Sequence, residues 1–567
     1  MRINLIGNLN KGTGLAQDIQ ILHGILAHVL GKETEFRHVP HYHPQCMEAE
    51  VNVFIEAINP SLFVYAAKNI WIPNPEWTQQ TWAPYARMVD EIWVKTREAE
   101  RLFQDLGKVR YIGWTSIDKT MPDSKNYNKA IAPVGKNVWR NPKPIVQAYM
   151  RVRELNMQAY LALPELHLVY NAQVVPLPPI PDVVRDKIVS HPEPLTEEAY
   201  DALLKECGLC ICTSASEGFG HAVNEAMSTG ANLLLSPIDA FMELTKSAAW
   251  VSEKASTPHP SCMGVLLDVD VHSLAESLIF YLNTSIEQRI QTSHAMRKTY
   301  EVRHNVFMSL MTDVIKGVIA DLPTYSLQDR LPKEADLPPI SVITLTRDRR
   351  VFMPLAKFCF MGLAYPDDKI EWVIVDDGKD QIKDLISDVP NVKYVLVDEP
   401  LTIGAKRNLG VASASHDILV MMDDDDVYPN NSAVSRVAHM LAEPRKECVF
   451  STTIPCYEIH EAKSFMNVPP MALHMSERVS EATLCFTRSF WEARKFPEQQ
   501  VAEGDAFIRG REHMCRELSP QDVIVSLIHK KNTSARKPPP MAEPNGCHYG
   551  FADQLFTLVS EIGMSIH

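Results

Sequence analysis

The feature that most constrains the fold is an alternation of short apolar runs with amphipathic stretches along nearly the whole chain. Runs rich in Ile, Val and Leu read as buried strands and the stretches between them as helices, the pattern of parallel α/β sheets. INLIG, VNVFIEAI, NIWIP and EIWVKT make a first series, followed by a polar, loop-like segment from Gly113 to Lys129. AIAPVG, LHLVYN, LCICTS, NLLLS and GVLLDV make a second, with helical segments such as PIVQAYMRVRELNM and EEAYDALLKE between them and a closing helix near Ser285–Asp321. ISVITLT, WVIVDD, VKYVLV and DILVMM make a third. The stretch between the second and third series is rich in Pro and charge and poor in apolar periodicity, as a linker is. The reading is therefore two lobes over residues 1–129 and 130–320, a linker at 321–338, a third unit over 339–536, and an extension over 537–567 that opens with KPPP.

The formal charge of −14 over 567 residues argues against nucleic acid as a partner, since such binding neutralises phosphates with Lys and Arg. No apolar run is long enough to span a bilayer and the N-terminus carries no cleavable apolar region, so no transmembrane segment is expected. The eleven cysteines are scattered and odd in number, which fits reduced thiols in a soluble, cytoplasmic protein. Cys207, Cys210 and Cys212 lie close enough to suggest zinc, but they fall in an apolar run with no second cluster to complete a tetrahedral site, and packed thiols are the preferred reading.

Two strings carry chemistry. In CICTSASEGFGHAVNEAMSTGANLLLS, a strand leads through a loop bearing Glu217 to a helix that starts near Gly220, with Glu225 in its first turns. The backbone N–H groups of Gly218, Phe219, Gly220 and His221 point out of the helix mouth, where the dipole favours an anion. Glycines at 218 and 220 would let a ligand approach the backbone. This string resembles the E-x7-E signature of retaining glycosyltransferases of family 4. The resemblance implies the GT-B fold of two facing Rossmann-like lobes, donor-sugar contact by Glu217 and ribose binding by Glu225. At the head of the second lobe, APVGKNVWRNPKP supplies Lys136 and Arg140, which match in charge the cations that grip the donor diphosphate in that family, although residue types and spacing differ. The same resemblance makes the first lobe acceptor-side and the second donor-side; in the first, NLNKGTG (Gly12 and Gly14) is a weak signal of an acceptor-side glycine loop, WIPNPEW places Asn74 and Glu76 after a strand, and His38, His41 and His43 read as loop histidines.

The second string is DILVMMDDDDVYP, an apolar strand ending in four aspartates. On an extended chain Asp423 and Asp425 would share one face, with Asp424 and Asp426 on the other. Like charges this close need compensation, and a divalent cation with oxygen ligands supplies it. With ISVITLTRDR, WVIVDDGKD, IGAKRNLGVASASHD and TLCFTRSFWEARKF around it, the third unit resembles inverting glycosyltransferases of family 2, with the GT-A fold. The resemblance implies nucleoside binding by Thr346, Asp376 and Asp377, with Lys406 and Arg407 near base and phosphates. It also implies a Mn2+ or Mg2+ ion on Asp423 and Asp425, with Asp424 toward the donor and His529 near the metal or diphosphate. The base falls in VAEGDAFIRGRE, where Glu503 and Asp505 are split by a glycine; either could take the acceptor proton, and Asp505 is the first choice. The fold class expected is thus α/β, a GT-B pair of lobes followed by one GT-A domain. The function expected is transfer from nucleotide-diphospho-sugar donors to a glycan, glycoprotein or glycolipid acceptor. Three alternatives stay open: one unit, more plausibly the lobes, only binds or positions glycan; the chain is a non-catalytic scaffold; or the aspartates serve another metal-dependent phosphoryl-transfer reaction.

Overall fold

The computed structural model describes every residue except 10–13, 42, 44–45, 176, 178, 323–330, 334–335, 444, 533–535, 541–549 and 567. Strands β1 (Arg2–Gly7), β2 (Glu35–Pro40), β3 (Ala49–Ile55), β4 (Ala66–Ile72), β5 (Glu91–Val94) and β6 (Val109–Tyr111) form one parallel sheet in the order β2-β1-β3-β4-β5-β6. The central strands are buried almost throughout, which is why they read as continuous apolar runs rather than alternating ones. The edge strand β2, EFRHVP, carries three charged or polar side chains and one buried valine, and lacks any such run. His38 lies on it, so that histidine belongs to a strand and not to a loop.

A second parallel sheet follows: β7 (Asn126–Gly135), β8 (Glu165–Tyr170), β9 (Ile188–His191), β10 (Cys207–Cys212), β11 (Asn232–Leu235) and β12 (Ala249–Trp250), in the order β12-β11-β10-β7-β8-β9. Cys207, Cys210 and Cys212 are buried thiols in β10, and burial pushes all three above the usual thiol range. GVLLDV departs from the expectation: it falls not in the parallel sheet but in an antiparallel hairpin of β13 (Glu253–Pro258) and β14 (Val265–Val269). Its β13 partner is exposed along its length, and β14 buries only Leu267 and Val269 on one face, which suits an antiparallel ribbon. The tip of this hairpin crosses to the first lobe, where the Gln80 N–H donates to the Ser261 carbonyl at 2.9 Å. A 35-residue helix, Ile286–Ala320, closes the lobe. Ser285 caps it through a capping box with Gln288, satisfying two otherwise unpaired N–H groups.

The third unit holds β15 (Ile340–Thr346), β16 (Ile370–Asp376), β17 (Val392–Leu396), β18 (Ile418–Met421), β19 (Cys448–Phe450), β20 (Ile454–Glu458), β21 (Lys463–Asn467), β22 (Cys485–Thr487), β23 (Cys515–Glu517) and β24 (Ser526–Ile528). Seven of them make a mixed sheet ordered β17-β16-β15-β18-β22-β19-β23, parallel from β17 to β18 and antiparallel from β18 to β22; β21-β20-β24 make a smaller one. The C-terminal helix Asp553–Ser565 buries Leu555, Val559 and Ile562 in the same apolar cluster as Trp372 and Val420, so the residues after 552 complete the core of this unit.

The first lobe and the third unit share a core. Trp71, Trp82, Tyr85 and Phe103 of the lobe lie in one apolar cluster with Val373, Leu419, Phe486 and Phe507 of the third unit. Polar contacts fix the register: Trp82 Nε1 donates to the Met471 carbonyl at 2.7 Å, and Arg478 Nη1 donates to the Tyr85 hydroxyl at 2.7 Å, both of the latter buried. Removing one partner of a buried charge-assisted bond costs about 1–3 kcal/mol because the remaining group loses its compensation. Tyr85→Phe is therefore expected to lower the unfolding free energy by about 1–3 kcal/mol in denaturant titration, and an unchanged midpoint would contradict this view of the interface.

Candidate active sites

Strand β18 stops at Met421, and the chain turns at once. The alternation expected for an extended aspartate run fails at Asp426, which joins Asp423 and Asp425 rather than Asp424. The turn instead brings carboxylate oxygens of Asp423, Asp425 and Asp426 within 4.8 Å of one another. Asp424 is the one turned away, toward Arg349 Nη1 at 2.9 Å and beside Thr346. The same Arg349 nitrogen reaches Asp425 Oδ2 at 2.6 Å, and His529 Nε2 lies 3.2 Å from that oxygen. Burial pushes Asp424 up to about 7, and burial with Asp425 and Asp423 pushes Asp426 well above the carboxylate range. Burial alone would raise Asp425 too, but His529 and Arg349 hold it below its ordinary value. Three hard oxygen donors converge, and Asp424 Oδ2 is buried without a hydrogen-bond partner. The donor set fits a divalent cation such as Mg2+ or Mn2+. Asp426, read only as following the motif, belongs with Asp423 and Asp425, whereas buried His529 sits against Asp425 where it can orient that carboxylate.

The remaining predicted residues surround this cluster. Asp376 ends β16 and accepts from the Tyr394 hydroxyl at 2.6 Å and from Gly378 N–H at 2.9 Å. Asp377 is buried and paired with Lys406 Nζ at 2.8 Å, so the Lys406 charge compensates an aspartate. Arg407 is buried between Glu503, at 2.8 Å, and Asp423, at 3.8 Å. Glu503 is thus one guanidinium away from the acidic turn. Asp505 accepts from the Ser476 hydroxyl at 2.5 Å and from Arg509 at 2.9–3.0 Å, and its side chain is 31% exposed. Glu481, not singled out in the sequence, also belongs here: it accepts from Gly504 N–H at 3.1 Å and is raised by burial and by Glu503. Arg349 was the other omission. Its signal lay in the basic RDRR run directly after β15, because β15 neighbours β18 in the sheet and its exit loop must pass the aspartates.

In the lobes, Gly220 caps the helix His221–Ser228 with φ +94°, a left-handed conformation that suits glycine. The two loop glycines serve packing rather than open approach. A Cβ on Gly218 would lie 2.7 Å from Glu76 Oε2, and one on Gly220 would lie 2.6 Å from the Phe241 ring. Phe219 is buried beside them. Arg140 does not stand open as a diphosphate grip: its Nε donates to Glu217 Oε1 at 2.5 Å, and Ser214 donates to the same oxygen at 2.9 Å. Lys136 is exposed. Glu225 accepts from Gln17 of the first lobe at 2.6 Å. Between the lobes Asp18 bridges Lys95 at 2.5 Å and His221 at 2.8 Å; burial opposes its charge, yet Lys95 and His221 hold it at about 2. Beside Glu217 a cavity of about 570 Å³ is bounded by Ser216, Pro237, Ile238 and Met242 on the second lobe and Glu98 on the first. Gly12 lies outside the described residues, and Gly14 begins the helix Gly14–Leu30.

Residues 357–471 match the family model described as Glycosyl transferase family 2. The third unit carries a glycosyltransferase family 2 domain. No curated protein sequence matches the chain. Among solved structures, a mannosyltransferase from Pyrobaculum calidifontis in complex with GDP-Man and Mn2+ is similar at 18% identity and TM-score 0.28, over 35% of this chain and 60% of that one. S. aureus TarS 1-349 in complex with UDP is similar at 16% identity and TM-score 0.27, over 34% of this chain and 60% of that one. An E. coli structure described as trehalose-6-phosphate bound with UDP-2-fluoro glucose is similar at 10% identity and TM-score 0.42, over 56% of this chain and 99% of that one. The chain thus spans about 60% of the length of the first two. Among the described residues, no helix is long and apolar enough to cross a membrane.

Glu76 offers a direct electrostatic readout of the closed cleft. Burial, then Glu217 and Glu56, push its carboxyl up to about 8, and its Oε2 has no hydrogen-bond partner. The folded state therefore holds a proton that the unfolded chain releases near pH 4.5, and the associated stability is lost as pH rises from there to about 8. Denaturant midpoints at pH 5, 7 and 9 are expected to show Glu76→Gln flattening this decline and stabilising the chain at pH 9. Parallel profiles for variant and wild type would contradict it.

Proposed function

We propose that the third unit transfers a sugar from a nucleotide-diphospho-sugar donor to a hydroxyl of a glycan, glycoprotein or glycolipid, with inversion at the anomeric carbon. The observation that carries this reading is the convergence of Asp423, Asp425 and Asp426 next to the buried Arg407–Glu503 pair. Asp423, Asp425 and Asp426 would hold Mn2+ or Mg2+, whose charge favours departure of the diphosphate. Asp376, Asp377 and Thr346 lie at the ends of β16 and β15, where open α/β sheets bind nucleotides, and they are assigned to the nucleoside. His529 and Arg349 fix the Asp425 carboxylate, and Arg349 adds a positive charge at the rim of the cluster.

Glu503 is assigned as the base in place of Asp505. Arg407 keeps the Glu503 carboxylate oriented toward the acidic turn, while Asp505 is engaged by Ser476 and Arg509. The acceptor hydroxyl proton passes to Glu503 and its oxygen bonds to the anomeric carbon. The bond from that carbon to the diphosphate oxygen breaks, and the electron pair leaves with the nucleoside diphosphate.

For the two lobes a binding or positioning role is the reading that the engaged signature residues favour. Glu217 is neutralised by Arg140, and Glu225 is bonded to Gln17. A second, retaining and metal-independent transfer there is supported by the cavity beside Glu217 and by the Glu217–Glu225 spacing, which would make the chain bifunctional. Donor turnover by the full chain separates these readings. Glu503→Gln is expected to lower it by about 10²–10⁴-fold, Asp425→Asn and chelation by EDTA to abolish it, and Glu217→Gln to leave it largely intact. Turnover that survives Asp425→Asn but not Glu217→Gln would move catalysis to the lobes.

A further inference from the structure

The first sheet contains a place for a ligand that the transfer chemistry above does not use. In the order β2-β1-β3-β4-β5-β6, the chain steps from β1 to one side and then to the other, so the switch point lies between the C-terminal ends of β1 and β3. Crevices at such points bind ligands because the two outgoing loops diverge and leave a cleft. Here Asn8 follows β1, and Glu56 follows β3. Both line one cavity of about 430 Å³, a volume within the range of small-molecule sites.

Three features make this cavity more than a packing gap. Glu56 holds φ +63°, a left-handed conformation that a non-glycine residue adopts at a cost and that gathers at functional sites. Its carboxylate is fixed at the cavity by Asn74 Nδ2 at 2.8 Å. Two indoles stand in its wall: Trp82 is buried, while Trp77 keeps 37% of its surface exposed and lies tilted against Trp139 of the second lobe, with ring centroids 6.1 Å apart. The outer wall comes from elsewhere in the chain. Met471 and Ala472 of the third unit close the pocket. They are fastened there by Trp82 Nε1 on the Met471 carbonyl and by the Thr81 hydroxyl on the Ala472 carbonyl at 2.9 Å.

We infer that this pocket is a saccharide-binding subsite, built jointly by the first lobe and the third unit, that holds a neutral sugar ring of the acceptor glycan. Indole faces suit the C–H faces of a pyranose, and a fixed carboxylate suits its hydroxyls. The lining disfavours anionic sugars and phosphates: among the described residues it includes no Lys or Arg to pair them, and Glu56 supplies its carboxyl group. The inference rests on the reading of the chain as glycan-modifying, and it gives the shared core a purpose. A glycan anchored between lobe and third unit stays attached to the body that carries the acidic turn.

The test is binding of the full-length chain to a printed glycan array, without nucleotide or metal. Saturation-transfer NMR with the best-retained neutral glycan then follows, with donor turnover measured in parallel. Wild type is expected to retain at least one neutral glycan, with signal transfer to the sugar ring. Glu56→Gln and Met471→Trp, the latter filling the pocket from the third-unit side, are each expected to weaken retention by about tenfold or more. Thermal melts matching wild type show that a variant is folded; the two substitutions lie on different units, so either can carry the result. No retained glycan, retention only of anionic glycans, or undiminished binding by either folded variant would overturn the inference. Metal-dependent donor turnover with a silent array removes this subsite alone. Glycan binding with turnover indifferent to Asp425→Asn removes the transfer assignment alone.

Discussion

Three carboxylates within 4.8 Å of one another at the end of a buried strand repel one another, and the third unit is organised around relieving that repulsion. Arg349 arrives from the loop after β15, His529 from the segment after β24, and Arg407 from the helix Ile403–Ser413. Each supplies positive charge or a hydrogen bond from a different element, and each is held by its own packing. The compensation is incomplete: Asp426 accepts from Leu527 N–H at 3.0 Å but meets no ion-pair partner within 4.0 Å among the described residues, and Asp424 Oδ2 has no partner. Such a donor set fits a divalent cation with oxygen ligands.

The lobes use the same physics to the opposite end. Asp18 is matched by Lys95 and His221, and Glu217 by Arg140, so these acids are neutralised within the protein. Glu76 escapes a charge by keeping its proton. Glu217 is engaged by Arg140 within the second lobe and Glu225 by Gln17 of the first, whereas the acidic turn of the third unit keeps Asp424 Oδ2 without a partner. The core that joins the first lobe to the third unit through Trp82, Tyr85 and Arg478 then makes the two parts one body, so a ligand held by one is positioned for the other.

Much of the fold was legible because buried parallel strands are long apolar runs. β15, β16 and β18, and β1, β3 and β4, stand where such runs stand. Strands without a run were not visible: β2 is an edge strand with a mostly polar face, and β6 has three residues. The hairpin β13–β14 shows the limit in the other direction, since GVLLDV looks apolar but has only one buried face. At the site, residue types were legible and their geometry was not. Four aspartates announce a cluster, but whether the chain turns or extends through them depends on where β18 ends, and that is set by its pairing with β15 and β22. The choice between Glu503 and Asp505 depended on Arg407, a partner 96 residues away from Glu503 in sequence.

The central claim is that the acidic turn compensates a cation and, through it, a donor diphosphate. Anomalous diffraction at the manganese edge, from crystals grown with MnCl2 and UDP, tests it most directly. The account predicts one strong peak in contact with carboxylate oxygens of Asp423, Asp425 or Asp426 and with the diphosphate. A nucleotide bound with no manganese at the turn, or manganese bound only elsewhere, would contradict it.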